Sequence, residues 1–202
     1  CIAAQSLDER FAFTIARVAF PDPEQLTRLF DTDPPHALTD DRGLRSIGVT
    51  LRLECTLYVG TMRLLETPFT CSSQSLELNE HVSTGIAISC LPAESRLGIT
   101  LYATRRTKTA VVGFVNIPLF NFQDIFVSGT VALRLWPGRA SDSGSSCLQN
   151  PSLKAAVVEV VFPARDTPVA YEHRAPHHPA IPTNLLAIPP DVYALLVAND
   201  PF

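Results

Sequence analysis

Three basic residues, Arg105, Arg106 and Lys108, stand within four positions of one short segment, TRRTKT. Cations held this close together attract the same negatively charged surface. Alternating apolar and polar residues flank the segment, RLGITLYA at 96–103 and VVGFVNIPL at 111–119, and this alternation predicts β-strands. We therefore predict that the three cations project from a loop tip and bind anionic membrane lipid or an acidic protein face. An ordinary solvated hairpin is the alternative.

Nucleophilic catalysis has little support in the sequence. Ser128 precedes a glycine but lies outside any G-x-S-x-G motif, so a turn is the simpler interpretation. His177 and His178 lie among prolines without a nearby cysteine or carboxylate cluster, which favours a solvated loop over a metal site. The nine glycines never take the spacing that cradles phosphate. We expect no catalytic residues and no cofactor in this segment.

Calcium is the metal that a cluster of acidic residues could bind. Asp31 and Asp33 are separated by one residue, and Asp40 and Asp41 follow shortly after them. Calcium needs six or more oxygen ligands, which normally converge from several loops. The loop that would have to contribute them, TRRTKT, is basic and would repel the ion. The sequence therefore predicts solvated acids and no metal site.

Period-two alternation runs through most of the chain and predicts an all-β fold. Strands are predicted at 11–20, 47–60, 63–70, 75–80, 84–90, 96–103, 111–119, 130–136 and 155–162. A long connector rich in aspartate and proline, 21–43, follows the first strand and holds one predicted helical turn. About eight such strands suit an antiparallel β-sandwich over 1–163.

The C-terminal part has a different character. Residues 164–188 are proline-rich without periodicity and are interpreted as a linker. A helical pattern begins at PPDVYALLVA, so 189–202 is predicted to be a short helix that starts a helical domain.

Composition limits the classes of partner. Residues 42–139 carry ten basic and six acidic side chains, against three and eight in residues 1–41 and three and six in 140–202. This balance is too weakly basic for nucleic acid. The five cysteines are odd in number and scattered, which favours reduced thiols in the cytoplasm. Because the chain opens on Cys1 and its only methionine is Met62, we expect a piece of a longer polypeptide.

Several segments, taken in order, resemble the C2 domain of phosphoinositide 3-kinases. LYVG and PFTC resemble its tyrosine-glycine and threonine strands, and LNEHV stands where the family has W-N-E-W-L. CLPAESRLGITLYAT is similar to its L-P-x-x-x-R-L entry, VGFVNIPLFNF to W-V-N-x-x-L-F-D-Y, and SGTVALRLWP to x-G-x-x-x-L-x-L-W-P. NP at 150–151 resembles the loop that follows the family's x-G-x-x-x-L-x-L-W-P strand. LLVANDPF resembles the opening of the family's helical domain. The resemblance covers about residues 47–202.

The resemblance implies a non-catalytic, Ca²⁺-independent module that serves as scaffold and docks a lipid kinase at anionic membranes, peripherally and in the cytoplasm. The parent chain would phosphorylate the inositol 3-position with ATP and Mg²⁺. Partners would be the kinase and helical domains of the same chain and a regulatory subunit. An interaction module without lipid contact is the second interpretation.

Departures from the family pattern point to a divergent member. Leu78 and His81 replace two tryptophans, and Asn121-Phe122 replaces Asp-Tyr. The remaining patterns suit class I or class II better than class III. We expect Trp136, the single tryptophan, to pack at a sheet edge, with Pro137 ending the strand because it lacks a backbone donor.

Overall fold

A computed structural model describes residues 1–22, 24–30, 44–45, 47–65, 68–140 and 150–172. Two antiparallel sheets pack face to face, which confirms the predicted β-sandwich. The described residues hold eight strands of five or more residues and three of two residues. The strands are β1 (Ile2–Ala3), β2 (Arg10–Ala19), β3 (Val49–Val59), β4 (Met62–Arg63), β5 (Phe69–Ser73), β6 (Glu77–Ala87), β7 (Ser95–Arg105), β8 (Lys108–Pro118), β9 (Gly129–Arg134), β10 (Val157–Phe162) and β11 (Val169–Ala170). Helix α1 spans Gln25–Phe30, and 3₁₀ turns span Ala4–Ser6 and Ile88–Cys90.

The first sheet has the strand order β6-β2-β10-β9, and the second has β4-β3-β7-β8 with β5 also on β3. In β3 the residues at odd positions from Val49 to Leu57 are buried, as the alternating sequence predicts. Phe11, Phe13 and Ile15 of β2, in the first sheet, face these residues and are equally buried. The interior is therefore the layer between the two sheets.

Two strand boundaries differ from the sequence prediction. The predicted strands 75–80 and 84–90 form one strand, β6, because left-handed residues at Asn79 (φ 51°) and Gly85 (φ 74°) bend it without ending it. The predicted strand 63–70 is divided between β4 and the start of β5. These two strands pair with separate stretches of the same edge of β3.

The domain also extends further than its predicted boundary at residue 163. Strand β11 lies in the segment interpreted as a linker, yet it pairs in parallel with β1, and the compact unit runs from Cys1 to Glu172. Two residues of pairing leave no visible alternation, so the sequence pattern missed this strand. The rest of the predicted linker to residue 188, and the predicted helix at 189–202, lie outside the described residues.

One lateral edge of the sandwich is closed by residues that follow β9. Trp136 exchanges two backbone hydrogen bonds of 2.8 Å with Phe114 on β8, so the chain crosses from the first sheet to the second. Its side chain packs beside Tyr58, Phe114 and Ala140. The expectation of a packing residue at a sheet edge fits this position.

The end where β2 begins is filled with aromatic rings, and we call it the aromatic end. The Phe11 ring lies 5.8 Å from that of Phe126 and 6.3 Å from that of Phe162, measured between ring centroids. Phe120 contacts Phe126 and Tyr171 edge to face, at 5.2 and 5.5 Å. The opposite end, where β7 turns into β8, carries the basic segment and is called the basic end.

Candidate functional site

The three predicted site residues lie on one hairpin. Strands β7 and β8 pair up to Arg105 and Lys108, which face each other across the last rung. Only Arg106 and Thr107 remain for the turn, and Arg106 takes a left-handed backbone (φ 53°). The structure thus brings Arg105, Arg106 and Lys108 together at a tight loop tip, as the flanking strands predicted. We call residues 104–109 the basic hairpin.

The three cations differ in their surroundings. Arg106 is exposed at the tip, whereas Arg105 is half-buried and its Nε donates to the Ile47 carbonyl at 2.9 Å. Lys108 is exposed, and its Nζ lies 5.9 Å from the centre of the Phe30 ring of α1. Arg105 therefore ties the hairpin to the segment before β3, and Arg106 is the most outward of the three charges.

Further cations join this end of the molecule. Arg45 is exposed two residues before Ile47, and its carbonyl accepts a hydrogen bond from Gly48. Arg52 and Arg139 both lie over the ring of Tyr102, with guanidinium carbons 4.4 and 6.0 Å from its centroid. The sequence alone gives no signal for this arrangement, because residues 52 and 139 are far apart along the chain and Arg139 lies in the segment after β9.

Tyr102, under those two arginines, is buried. Burial raises the pKa of its hydroxyl, and the nearby Glu54 carboxylate raises it further, while Arg139 and Arg52 act in the opposite direction. The phenol is therefore neutral at physiological pH and places no negative charge of its own beneath the two guanidinium groups.

A buried arginine holds three of the quoted sequence motifs together. Arg96 is 3% exposed, and its guanidinium donates to Asn116 Oδ1 and, from Nε and Nη2 at 3.3 and 3.1 Å, to the Gly60 carbonyl. The same guanidinium lies 4.3 Å from the centre of the Tyr58 ring. Tyr58 and Gly60 belong to LYVG, Arg96 to the L-P-x-x-x-R-L entry and Asn116 to VGFVNIPLF. The motifs therefore meet in one hydrogen-bonded cluster of the second sheet.

A family profile described as "Phosphoinositide 3-kinase C2" matches residues 49–161. That span covers more than half of the chain and contains the whole Arg96 cluster. The chain belongs to the phosphoinositide 3-kinase C2 family. The recognition of a C2 domain from its motifs is confirmed, although the class of kinase is not determined.

A curated relative agrees with this C2 assignment. Phosphatidylinositol 3-kinase 1 of Dictyostelium discoideum is 26% identical over 148 residues, which cover 64% of this chain. The matched region spans only 9% of that relative's length. Among the residues that the structure describes, no helix is both long enough and apolar enough to cross a membrane.

The C2 domain keeps the local geometry where it departs from the family at Asn121. Asn121 Oδ1 accepts hydrogen bonds from the backbone N–H groups of Gln123 and Ile125, at 2.8 and 3.0 Å. An aspartate would accept the same two bonds, so Asn for Asp preserves the turn. The next residue, Phe122, is 93% exposed, whereas Phe120 on the other side of Asn121 is buried.

Most of the candidate metal and catalytic residues of the C2 domain fall outside the part of the chain that the structure describes. Asp31, Asp33, Asp40, Asp41, His177 and His178 lie outside the described residues. In the described ranges, no three His, Cys, Asp or Glu side chains are close enough to hold a metal ion. Ser128 lines a cavity of about 390 Å³ whose described walls contain no acidic, basic or histidine side chain.

Two cysteines of the C2 domain lie close together near the β5 edge. Cys55 on β3 is buried, and Cys71 on β5 is half-buried. Cys71 pairs with Leu53, which lies two positions from Cys55 on the same face of β3. Burial raises the pKa of both thiols, and Glu80 adds to the effect at Cys71. Both are therefore protonated and unreactive at neutral pH.

Proposed function

We propose that this C2 domain is a non-catalytic, Ca²⁺-independent module that docks a phosphoinositide 3-kinase on anionic membranes through three cations of the basic hairpin, Arg105, Arg106 and Lys108. Membership of the family supports the association with a lipid kinase. On this proposal the longer chain uses ATP and Mg²⁺ to phosphorylate the inositol 3-position, and this domain contributes position and not chemistry. It works peripherally, from the cytoplasm, with the helical and kinase domains and a regulatory subunit as protein partners.

The position of the basic hairpin is the observation that carries this proposal. Arg106 stands outermost on a two-residue turn, with Arg105 and Lys108 on the rung below it. Each basic side chain near an anionic leaflet contributes about 1 kcal/mol. Arg45, Arg52 and Arg139 add charge at the same end, so the attraction exceeds that of three residues alone.

A sedimentation assay tests the proposal with vesicles of phosphatidylcholine, with and without phosphatidylserine. We expect the chain to bind only the vesicles that contain phosphatidylserine, equally in calcium and in a chelator. Reversal of Arg105, Arg106 and Lys108 to Glu should lower the partition coefficient more than about a hundredfold. Unchanged binding of this variant would remove the hairpin from the proposal.

Two variants with the same change of charge locate the effect. Arg106→Glu and Arg63→Glu each replace one exposed arginine, but Arg63 lies on β4 at the aromatic end. We expect about 30-fold weaker binding for Arg106→Glu, from two units of charge at about 1 kcal/mol each, and little change for Arg63→Glu. Equal losses would indicate attraction by net charge without a defined docking face.

The second candidate function is a protein-interaction module without lipid contact. The observation in its favour is that Arg105 already bonds the Ile47 carbonyl and that Lys108 lies near the Phe30 ring, so these two side chains are partly committed within the fold. Absence of vesicle binding by the unaltered chain, together with salt-insensitive binding to the helical and kinase domains, would favour it.

A further inference from the structure

We infer that Thr107 is a phosphorylation site whose occupation releases the domain from anionic membranes. The inference rests on the proposed docking function, and it concerns a residue that the docking itself does not use. The ligand class is a serine/threonine protein kinase that selects basic sequences through an acidic groove, with ATP as phosphoryl donor.

Thr107 occupies the second of the two turn positions of the basic hairpin. It is exposed, it follows two arginines directly, and Lys108 succeeds it. Arg105 and Lys108 form the last rung of the ladder, so Thr107 lies beyond the paired backbone. The charges around its hydroxyl match the preference of a kinase with an acidic groove.

The neighbouring threonines do not share this freedom. Thr104 and Thr109 face each other one rung below, and their hydroxyl oxygens lie 3.0 Å apart in a hydrogen bond. Thr107 makes no side-chain hydrogen bond within the described part of the chain. A kinase that binds this segment therefore finds one free hydroxyl, and Thr109, also exposed, provides a matched control.

The backbone of the turn favours local opening. A kinase takes its substrate in extended form, so the tip must unpair before transfer. Arg106 has a left-handed φ of 53°, which is unfavourable for a residue with a Cβ atom, and opening relieves it. The rung next to the turn lies at the end of the ladder, where fraying is least costly.

The transfer is a simple phosphoryl exchange. The Thr107 Oγ1 atom forms a bond to the γ-phosphorus of ATP while the bond from that phosphorus to the β,γ-bridging oxygen breaks, and ADP leaves. The hydroxyl proton passes to the general base of the kinase. No oxidant or reductant takes part.

The product reverses the local electrostatics. A phosphothreonine adds about −1.5 to −2 charges at neutral pH amid the three cations of the hairpin. Its oxygens accept charge-assisted hydrogen bonds from the Arg105 and Arg106 guanidinium groups, which withdraws those groups from lipid. Since each charge near an anionic leaflet changes partitioning about fivefold, phosphorylation should weaken vesicle binding about 10- to 25-fold.

The test treats the 202-residue chain with the catalytic subunit of cyclic-AMP-dependent protein kinase and Mg-ATP. Mass spectrometry then locates the phosphate, and the vesicle assay compares modified and unmodified chains. We expect one phosphate on Thr107, lost in Thr107→Ala and kept in Thr109→Ala. We also expect binding of the unmodified Thr107→Ala variant to equal that of the unaltered chain.

The outcomes separate the two proposals. Phosphate on another residue, or none on Thr107, overturns the site whatever the vesicles show. Phosphate on Thr107 with unchanged vesicle binding overturns the release while docking stands. Failure of the unmodified chain to bind any anionic vesicle overturns the proposed docking and the release with it.

Discussion

The two ends of this sandwich carry different kinds of side chain, aromatic and apolar at one end and basic at the other. At the aromatic end, rings from β2, β10 and the loop 119–128 pack together, and four of the five exposed large hydrophobic residues in the described ranges lie there. They are Ile2, Met62, Leu64 and Phe122. At the basic end the prominent side chains are charged and sit on a tight turn. One end thus stabilises the fold through buried contacts, and the other presents charge.

Acidic residues sharpen the difference. Asp8, Glu94, Asp166 and Glu172 are exposed near the aromatic end, and Glu9 there pairs with Arg165 at 2.8 Å. Carboxylates beside exposed apolar residues are repelled by an anionic leaflet. On the docking proposal, the charge around exposed hydrophobic residues, and not their presence alone, decides which end faces a membrane.

The largest effect on the free energy of unfolding should come from removing a buried ring at the aromatic end. Phe11→Ala removes a ring that contacts Phe13, Phe126 and Phe162, and should lower the free energy of unfolding by about 3–5 kcal/mol. Phe122→Ala, at 93% exposure, should change it by less than about 0.5 kcal/mol. Urea denaturation measures both. Similar losses in the two variants would mean that the ring cluster is not what stabilises this end.

A comparison of two arginines comes next. Arg96→Leu should lower the free energy of unfolding by about 3 kcal/mol, because the Gly60 carbonyl and Asn116 Oδ1 lose their charged donor inside the protein. Arg106→Leu should lower the free energy of unfolding by less than about 0.5 kcal/mol, because that side chain is exposed. Thermal unfolding of both variants gives the answer. A stable Arg96→Leu protein would refute the structural role of the buried cluster.

Alkaline pH probes the interior between the two ends. The folded chain keeps the Cys55 thiol protonated because burial raises its pKa, whereas the unfolded chain ionises above a pKa of about 8.5. The unfolded state then binds fewer protons, so the free energy of unfolding should fall by about 1.4 kcal/mol per pH unit above that value.

Two substitutions separate this contribution from other titrating groups. Cys55→Ala should have a shallower loss of stability with pH than the unaltered chain, while Cys90→Ala, at an exposed position, should keep its slope. Denaturant unfolding at pH 8, 9 and 10 measures these slopes. Identical slopes in all three proteins would exclude Cys55 as the titrating group.

The smallest expected effect tests the comparison most directly. Met62→Ser and Phe122→Ser remove exposed apolar side chains from the aromatic end. Binding to vesicles with phosphatidylserine should change less than about twofold, because the docking proposal places the attraction at the opposite end. A loss as large as that of Arg106→Glu would mean that the aromatic end inserts into lipid, and the assignment of the two ends would have to be reversed.

Much of this fold was predictable because strand alternation is local information. β2, β3 and β8 could be placed from side chains that alternate between buried and exposed. β11 could not, since its two pairs with β1 depend on residues about 167 positions away. The meeting of Arg52 with Arg139 over Tyr102 was hidden for the same reason.

The candidate site was predictable in its residues but not in its detail. The spacing of Arg105, Arg106 and Lys108 between two strands indicated a loop tip, and the register of β7 and β8 places them there. No pattern could indicate that Arg105 donates to the Ile47 carbonyl or that Thr104 and Thr109 bind each other while Thr107 does not. Those contacts depend on the exact rung at which the turn begins.

The pairing of β2 with β10 has a consequence for synthesis on the ribosome. Arg17 meets Glu159 across that pair, so the first sheet joins segments some 140 positions apart. The core strands of the second sheet, β3, β5, β7 and β8, all lie between residues 49 and 118 and are available earlier. Of the first sheet, only β2 and β6 precede residue 118, so the nascent chain holds the second sheet with part of its apolar face uncovered until β9 and β10 emerge. A chaperone has the most surface to bind during that interval.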